Sequence, residues 1–210
     1  MALALTGFSV VAGGLLGWVN DVTAEPIAQA NAKTLSDAIA VVVPGFDNNP
    51  AEAPETVEVN GATYKIYKAT KGGKPIGAAV ESASNGFGGT LTVLVGFDNE
   101  GNIIDYSLLS HSETPGLGSK AADWFKKGAK GDITGKNPGK APLTVSKDGG
   151  DVDAITASTI TSRAFLLAVN NAYAAYMNQH VDGASGASQQ KKGAGEYEKA
   201  DTTNVEPVKE

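Results

Sequence analysis

The 210-residue chain contains no cysteine, so it brings no disulfide, no zinc-thiolate site and no iron–sulfur cluster of its own. It has only two histidines, His111 and His180, far apart in sequence, which argues against a His-rich metal centre. Positive charge is scarce too. Against 23 Asp and Glu there are 17 Lys and Arg, a net charge of −6, whereas a nucleic-acid partner calls for a basic face. No charged residue at all occurs from Met1 to Asn20. What the chain has in quantity is glycine, 26 residues of it, the mark of many turns and close backbone approaches.

The uncharged start is the first feature to explain. Leu3 to Val19 is mostly Leu, Val, Ala, Gly and Phe, and a helix of roughly 17–25 such residues spans a hydrocarbon core. Trp18 stands where an interfacial aromatic belongs, and Asn20-Asp21 mark an exit into water. A single transmembrane anchor over 1–20 is the expectation. Two other readings stay open. A cleaved signal peptide would use Val22-Thr23-Ala24 as its small-residue cleavage site but lacks a basic leading region. A buried core helix would need a polar stripe, which this segment lacks.

After Pro26, the residues Ile27, Ala30, Thr34, Leu35, Ala38, Ile39 and Val42 recur at helical spacing. They predict an amphipathic helix of about four turns, ended by Val43-Pro44-Gly45-Phe46 and followed by a loop from Asp47 to Glu55. Strand signals then come in series: Ala62 to Ala69, Pro75 to Ser82, Thr90 to Asp98 and Asn102 to Leu109, joined by Lys71-Gly72-Gly73 and Asn99-Glu100-Gly101 turns. Local turns between successive strands predict an antiparallel meander. The glycine-rich loop Ser84 to Gly89 precedes a strand rather than a helix, the wrong context for a phosphate-binding or dinucleotide loop. It reads as a tight turn that would also let a ring system approach the backbone.

Ser110 to Ser119 sets His111, Glu113 and Thr114 against a Pro-Gly-Leu-Gly backbone, which suggests a shaped loop beside a site. Ala121 to Lys127 is a short helix capped by Gly128, and Lys130 to Lys140 a basic Gly/Pro loop expected to be solvated. A second long helix runs from Ile160 to Met177 with Phe165, Ala168, Ala172, Ala175 and Tyr176 on one stripe. Beyond Val181 apolar residues almost vanish, and 181–210 reads as a disordered tail.

Just before that helix lies the densest cluster in the chain. Asp151 to Arg163 reads D-V-D-A-I-T-A-S-T-I-T-S-R, with five hydroxyls (Thr156, Ser158, Thr159, Thr161, Ser162) in seven residues. Hydroxyl side chains cap a helix by accepting its unpaired N–H groups, but one or two suffice. The same free N–H groups and the positive end of the helix dipole make a phosphate site, to which Arg163, one turn in, would add a charge-assisted contact.

Four features together resemble one family, the membrane-anchored, covalent flavin-binding subunits of ion-pumping redox complexes. They are the apolar anchor followed by an amphipathic helix, the loop Asn85-Gly86-Phe87-Gly88, the segment Glu113-Thr114-Pro115-Gly116-Leu117-Gly118, and Asp153-Ala154-Ile155-Thr156-Ala157-Ser158-Thr159. The resemblance is nearest to the G subunits of Rnf-type ferredoxin:NAD⁺ oxidoreductases and more distant to the C subunits of sodium-pumping NADH:quinone reductases. It covers nearly everything from the anchor to about Met177.

The resemblance implies FMN joined through a phosphoester to Thr159, the last residue of a motif usually written Ser/Thr-Gly-Ala-Thr. Here Ala157 replaces its glycine and Ser158 its alanine, so Ser158 offers a competing hydroxyl. No base stands beside Thr159 in sequence, which fits attachment by a separate flavin transferase. The resemblance further implies a flavin lined by the loop Glu113 to Gly118, with Thr114 and Leu117 touching the ring. Asp153, Thr156, Ser158, Thr159 and Arg163 complete the candidate cofactor-binding residues.

The expected fold is α+β: an antiparallel β meander or half-barrel packed with helices, preceded by one N-terminal transmembrane helix. The expected organisation is an anchor at 1–20, an FMN-binding domain at 21–180 and the tail. The expected role is an electron relay within a translocase at the cell membrane, its soluble domain on the periplasmic side, with the complex's other subunits as partners, no nucleic acid, and no complete active site on this chain alone. Two alternatives remain: the equivalent subunit of a quinone-reducing complex, and a membrane-anchored, non-redox binding or adhesion domain whose hydroxyl cluster is only a helix cap.

Overall fold

A computed structural model describes residues 2–59 and 61–177; the tail expected at 181–210 lies outside the described residues. The chain opens with one continuous helix, α1 (Ala2–Val42), which runs through Pro26. This corrects the expectation of a separate anchor and a fresh helix after the proline. An interior proline loses one backbone hydrogen bond and costs about 3 kcal/mol. Alanines on both sides favour helix, and Thr23 Oγ1 donates to the Val19 carbonyl (2.8 Å) one turn before the lost bond. Among the described residues no helix is long and apolar enough to cross a membrane, where the sequence led to the expectation of a span over 1–20. From Thr6 onward, Gly7, Gly13, Gly14, Gly17, Ser9 and the Asn20-Asp21 pair dilute the apolar run.

Five strands follow in a meander: β1 (Glu55–Val59), β2 (Ala62–Lys71), β3 (Lys74–Asn85), β4 (Thr90–Phe97) and β5 (Ile103–Ser110). All neighbouring pairs are antiparallel and the spatial order is the chain order. The expected α+β class and meander are found. The sheet has β1 and β5 as its edges. β1 falls between the loop expected to end at Glu55 and the first strand expected at Ala62, and its pairs with β2 run from Glu55–Ile66 to Val59–Ala62.

The sheet is covered on both faces. On one side α3 (Thr159–Tyr176) packs through Phe165, Leu166, Ala168, Val169 and Ala172 against Val80, Val93, Val95 and Phe97. Aromatic rings knit this core together: Phe165 stacks on Phe125 at 4.4 Å and meets Tyr106 edge-on at 4.8 Å. On the other side only the last turns of α1 take part, with Ala38, Ile39, Val42 and Val43 against Tyr67, Ala69, Ala79 and Leu94. Gly96 permits that contact, since a Cβ there would stand 2.0 Å from the Val42 carbonyl oxygen. Earlier in α1 the apolar side chains of Phe8, Val10, Val11, Leu15, Leu16 and Trp18 are exposed.

Between β5 and α3 the chain crosses through a short helix, α2 (Ala121–Trp124), and a stitched loop. The basic stretch 130–140 is less solvated than expected. Ile133 is fully buried, and Ile103 and Lys136 are joined by a backbone hydrogen bond. This crossover delivers the chain to the N-terminus of α3 beside the end of β3.

Candidate functional site

The first turn of α3, the loop after β3 and the loop after β5 meet around one carboxylate. Glu113 is 6% exposed. Its Oε1 accepts from the backbone N–H groups of Phe87 (2.8 Å) and Gly88 (3.2 Å), and its Oε2 accepts from the Thr161 hydroxyl (2.7 Å). A buried carboxylate is stable only when its lone pairs are met, and here three segments meet them. The glycines follow from that closeness. A Cβ on Gly86 would lie 2.0 Å from Glu113 Oε1, and one on Gly118 would lie 2.5 Å from Oε2. Glu113, expected to face a flavin, is thus turned to the protein: both oxygens are occupied by the walls it joins.

Those walls enclose a cavity of about 470 Å³ lined by Glu113, Thr114, Leu117, Gly118, Ser158, Thr159 and Arg163, together with Phe87, Lys147, Ala157, Ile160 and Thr161. Sites for compounds of cofactor size commonly measure roughly 300–1,000 Å³. Seven of the nine residues singled out in the sequence are therefore gathered in one place. Asp153 and Thr156 are not among them. The Asp153 carbonyl accepts from the Trp124 indole (2.8 Å) and its carboxylate from Ser146 Oγ (3.3 Å), so it braces the crossover; Thr156 is exposed in the turn before α3.

The helix start is built unusually. Ala157 has φ 62°, the left-handed region, and among the described residues no other non-glycine residue has a positive φ. Ser158 occupies the N-cap position but its side chain makes no capping hydrogen bond. Its carbonyl instead accepts from Ser162 N and Ser162 Oγ, both at 3.0 Å, while Ser162 Oγ also accepts from Ile155 N (2.9 Å). The hydroxyl cluster consequently splits. Ser162 and Thr161 are buried and structural, Ser158 is buried, and Thr159 is left partly exposed in the cavity. The backbone N–H groups of Thr159, Ile160 and Thr161 find no acceptor among the described residues. A cluster that served only to cap the helix would have used its hydroxyls on those donors.

Two cations border the cavity. Arg163, expected to reach a phosphate, is 7% exposed and committed: Nε and Nη2 donate to the two Asp148 oxygens at 2.6 Å each. That bidentate pair, its hydrogen bonds first, holds the Asp148 carboxyl below the usual carboxylate range and raises the guanidinium further. Lys147, the neighbour of Asp148, points the other way, and its Nζ donates to Thr159 Oγ1 (3.3 Å). No sequence spacing flagged Lys147. Phe87, 71% exposed at the mouth, stands in a loop whose glycines had already suggested a ring approaching the backbone.

Comparison with known proteins bears on this geometry directly. The FMN-binding domain family matches residues 86–174, a span that contains every residue lining the cavity. The G subunit of the ion-translocating oxidoreductase complex of Yersinia pestis is 36% identical over 181 residues, covering 81% of this chain and 86% of that one. The chain belongs to the family of G subunits of ion-translocating oxidoreductase complexes. The G subunit of Cereibacter sphaeroides is also 36% identical, covering 77% of this chain and 76% of its own, and that of Vibrio cholerae is 35% identical over 189 residues, 85% and 89%. A crystal structure of the C subunit of the Na⁺-translocating NADH-quinone reductase of Parabacteroides distasonis aligns with TM-score 0.47 and 21% identity, over 70% of this chain and 91% of that one, a likeness too loose to carry an argument.

The residues of this G-family chain suit a flavin mononucleotide in kind. Phe87, Leu117, Ala157 and Ile160 offer apolar surface for a ring system, and the three free N–H groups at the start of α3 offer donors for a phosphate.

Proposed function

We propose that this chain is the electron-relay subunit of an Rnf-type ferredoxin:NAD⁺ oxidoreductase complex and carries FMN as a phosphoester on Thr159. One observation supports the attachment most strongly. Thr159 Oγ1 opens into a cavity at the dipole-positive end of an 18-residue helix, beside N–H groups that its own hydroxyl neighbours leave free. Ser158, the competing hydroxyl, is 9% exposed and less reachable by a modifying enzyme. When bound, FMN supplies the redox chemistry, and the protein fixes its place and surroundings.

Each neighbouring residue has a part in that placement. The N–H groups of Thr159, Ile160 and Thr161 would donate to the phosphate. Thr114, Leu117 and Phe87, which line the cavity, would hold the ring and shield it from water. Glu113 holds the two loops against α3 and so sets the width of the slot. Among the described residues the side-chain partner of Thr159 Oγ1 is Lys147 Nζ, which donates to that oxygen rather than taking its proton, so attachment is the work of a flavin transferase. That enzyme breaks a phosphoanhydride in a flavin dinucleotide, forms the P–O bond to Oγ1, and releases the nucleoside monophosphate and the threonine proton.

The uncharged start of the chain serves as a single-pass membrane anchor in this reading, with the FMN-bearing part on the outer side and the other subunits of the complex as partners. Counted from the sequence, Ala2 to Val19 is an uncharged stretch, at the lower end of the roughly 17–25 residues a span requires. The exposed Phe8, Val10, Val11, Leu15, Leu16 and Trp18 would otherwise face water.

Co-expression with a flavin transferase tests the site. The denatured band should fluoresce as flavin, Thr159→Ala should abolish the signal, and Ser158→Ala should keep it. Undiminished fluorescence in Thr159→Ala overturns the attachment site. Alkaline extraction of membranes, which strips peripheral proteins, should leave the chain in the pellet. Co-purification of the neighbouring subunits separates this complex from a quinone-reducing one.

A further inference from the structure

We propose that Lys147 is the phosphate clamp of this site and that the Arg163–Asp148 pair acts through it as a positioning device. The inference rests on FMN attachment at Thr159. By sequence the anion belongs to Arg163, but the structure gives that guanidinium to Asp148 in a buried, two-point pair whose charges cancel. A phosphodiester at Thr159 keeps a negative charge at neutral pH. Of the two cations on the cavity wall, Lys147 is exposed, and its Nζ is 3.3 Å from the oxygen that would carry the phosphorus.

The turn bearing Lys147 is fixed from three directions. Residues Ser146–Asp148 form one 3₁₀ turn, entered by a Val145–Val152 bridge in which Ser146 N donates to the Val152 carbonyl (2.8 Å). It is closed by Gly149 at φ 87°, and Gly150 lies so near Thr144 that a Cβ would be 2.1 Å from that carbonyl oxygen. The third hold is Asp148 itself, gripped from α3, the same helix that presents Thr159. Arg163 therefore sets the distance between the lysine's turn and the acceptor threonine. A lysine binds phosphate as a point charge and needs placing more than shaping, which this arrangement provides.

The test uses the full chain co-expressed with a flavin transferase, comparing wild type, Lys147→Gln, Lys147→Arg, Asp148→Asn and Thr159→Ala. Two quantities are read: the initial rate at which flavin fluorescence appears on the denatured band, and the ³¹P resonance of the phosphodiester in the folded holoprotein. Lys147→Gln should slow labelling about fivefold, the upper end for one exposed charge contact, and should move the ³¹P resonance. Lys147→Arg should restore both, and Asp148→Asn should shift both in the same direction as Lys147→Gln while the protein still melts cooperatively. A wild-type rate in Lys147→Gln, with Thr159→Ala blank, overturns the clamp and leaves the attachment site standing. Slowed labelling with an unmoved ³¹P resonance also overturns it, since the lysine would then serve only the transferase encounter. Label on Thr159→Ala overturns the underlying reading instead.

Discussion

Replacing Ala157 by glycine should stabilise the protein, although glycine normally weakens a fold. The residue has φ 62°, and an L-residue in the left-handed region costs about 1–2 kcal/mol because its Cβ crowds the following carbonyl. Glycine removes that cost. It also adds freedom to the unfolded chain, which offsets roughly 0.4–1 kcal/mol. The methyl group is exposed, so its loss gives up little burial. The balance is a gain of about 0.5–1 kcal/mol. With a urea slope of about 1–3 kcal/mol/M, the midpoint should rise by a few tenths of a molar or more at unchanged slope. Ala141→Gly is the internal control: Ala141 is exposed in a loop without a positive φ, so only the entropic cost applies and the midpoint should fall. If Ala157→Gly lowers the midpoint as Ala141→Gly does, the left-handed strain at the entry to α3 is absent. Flavin labelling of Thr159 should proceed in the glycine variant, because the substitution relaxes the turn without moving its φ.

Glu113→Ala should cost about 2–4 kcal/mol in urea unfolding, because two backbone N–H groups and the buried Thr161 hydroxyl lose their acceptor together; a loss under about 0.5 kcal/mol, the range of ordinary surface substitutions, would show that the carboxylate does not hold the loops. The Asp148–Arg163 pair makes stability fall in acid. Its folded-state pKa lies below the unfolded value of about 3.9, so its contribution is complete above that value and is lost as pH falls through the folded one. Asp151, hydrogen-bonded to Lys136, shifts in the same direction. Urea midpoints of wild type and Asp148→Asn should therefore converge as pH is lowered from about 6 to about 3, and parallel curves would refute the assignment.

The sequence disclosed the sheet because its strands are local and rich in branched and aromatic residues; Thr90–Phe97 needs no partner to be recognised. β1 escaped notice because Glu55, Thr56 and Glu58 are exposed, and only pairing to β2 makes that pentapeptide a strand. The continuity of α1 was hidden by Pro26, whose breaking tendency is a local preference that the surrounding helix overrides. At the site, the sequence pointed to loops that line the cavity but did not show the protein partners of its charges. Arg163 and Glu113 looked like ligand contacts because each is a charge beside a suspected cavity. Their partners, Asp148 and the backbone of Phe87 and Gly88, lie 15 and about 26 residues away and are brought in by a turn and a hairpin that no spacing rule encodes. Lys147 was invisible for the same reason.

This reassignment changes how the site's charges should be understood. A cavity whose arginine and glutamate both faced a bound flavin would place opposite charges on one ligand and would collapse or hydrate without it. Here each buried charge is satisfied by the protein, Glu113 by three donors and Arg163 by one carboxylate, so the slot keeps its shape independently of its occupant. Beyond those two committed charges, the slot is lined by apolar side chains, free N–H groups, serine and threonine hydroxyls and one exposed lysine. Such a lining suits a cofactor installed after folding by another enzyme: the acceptor hydroxyl must be reachable on an already folded domain, and the walls must not depend on the ligand for their place.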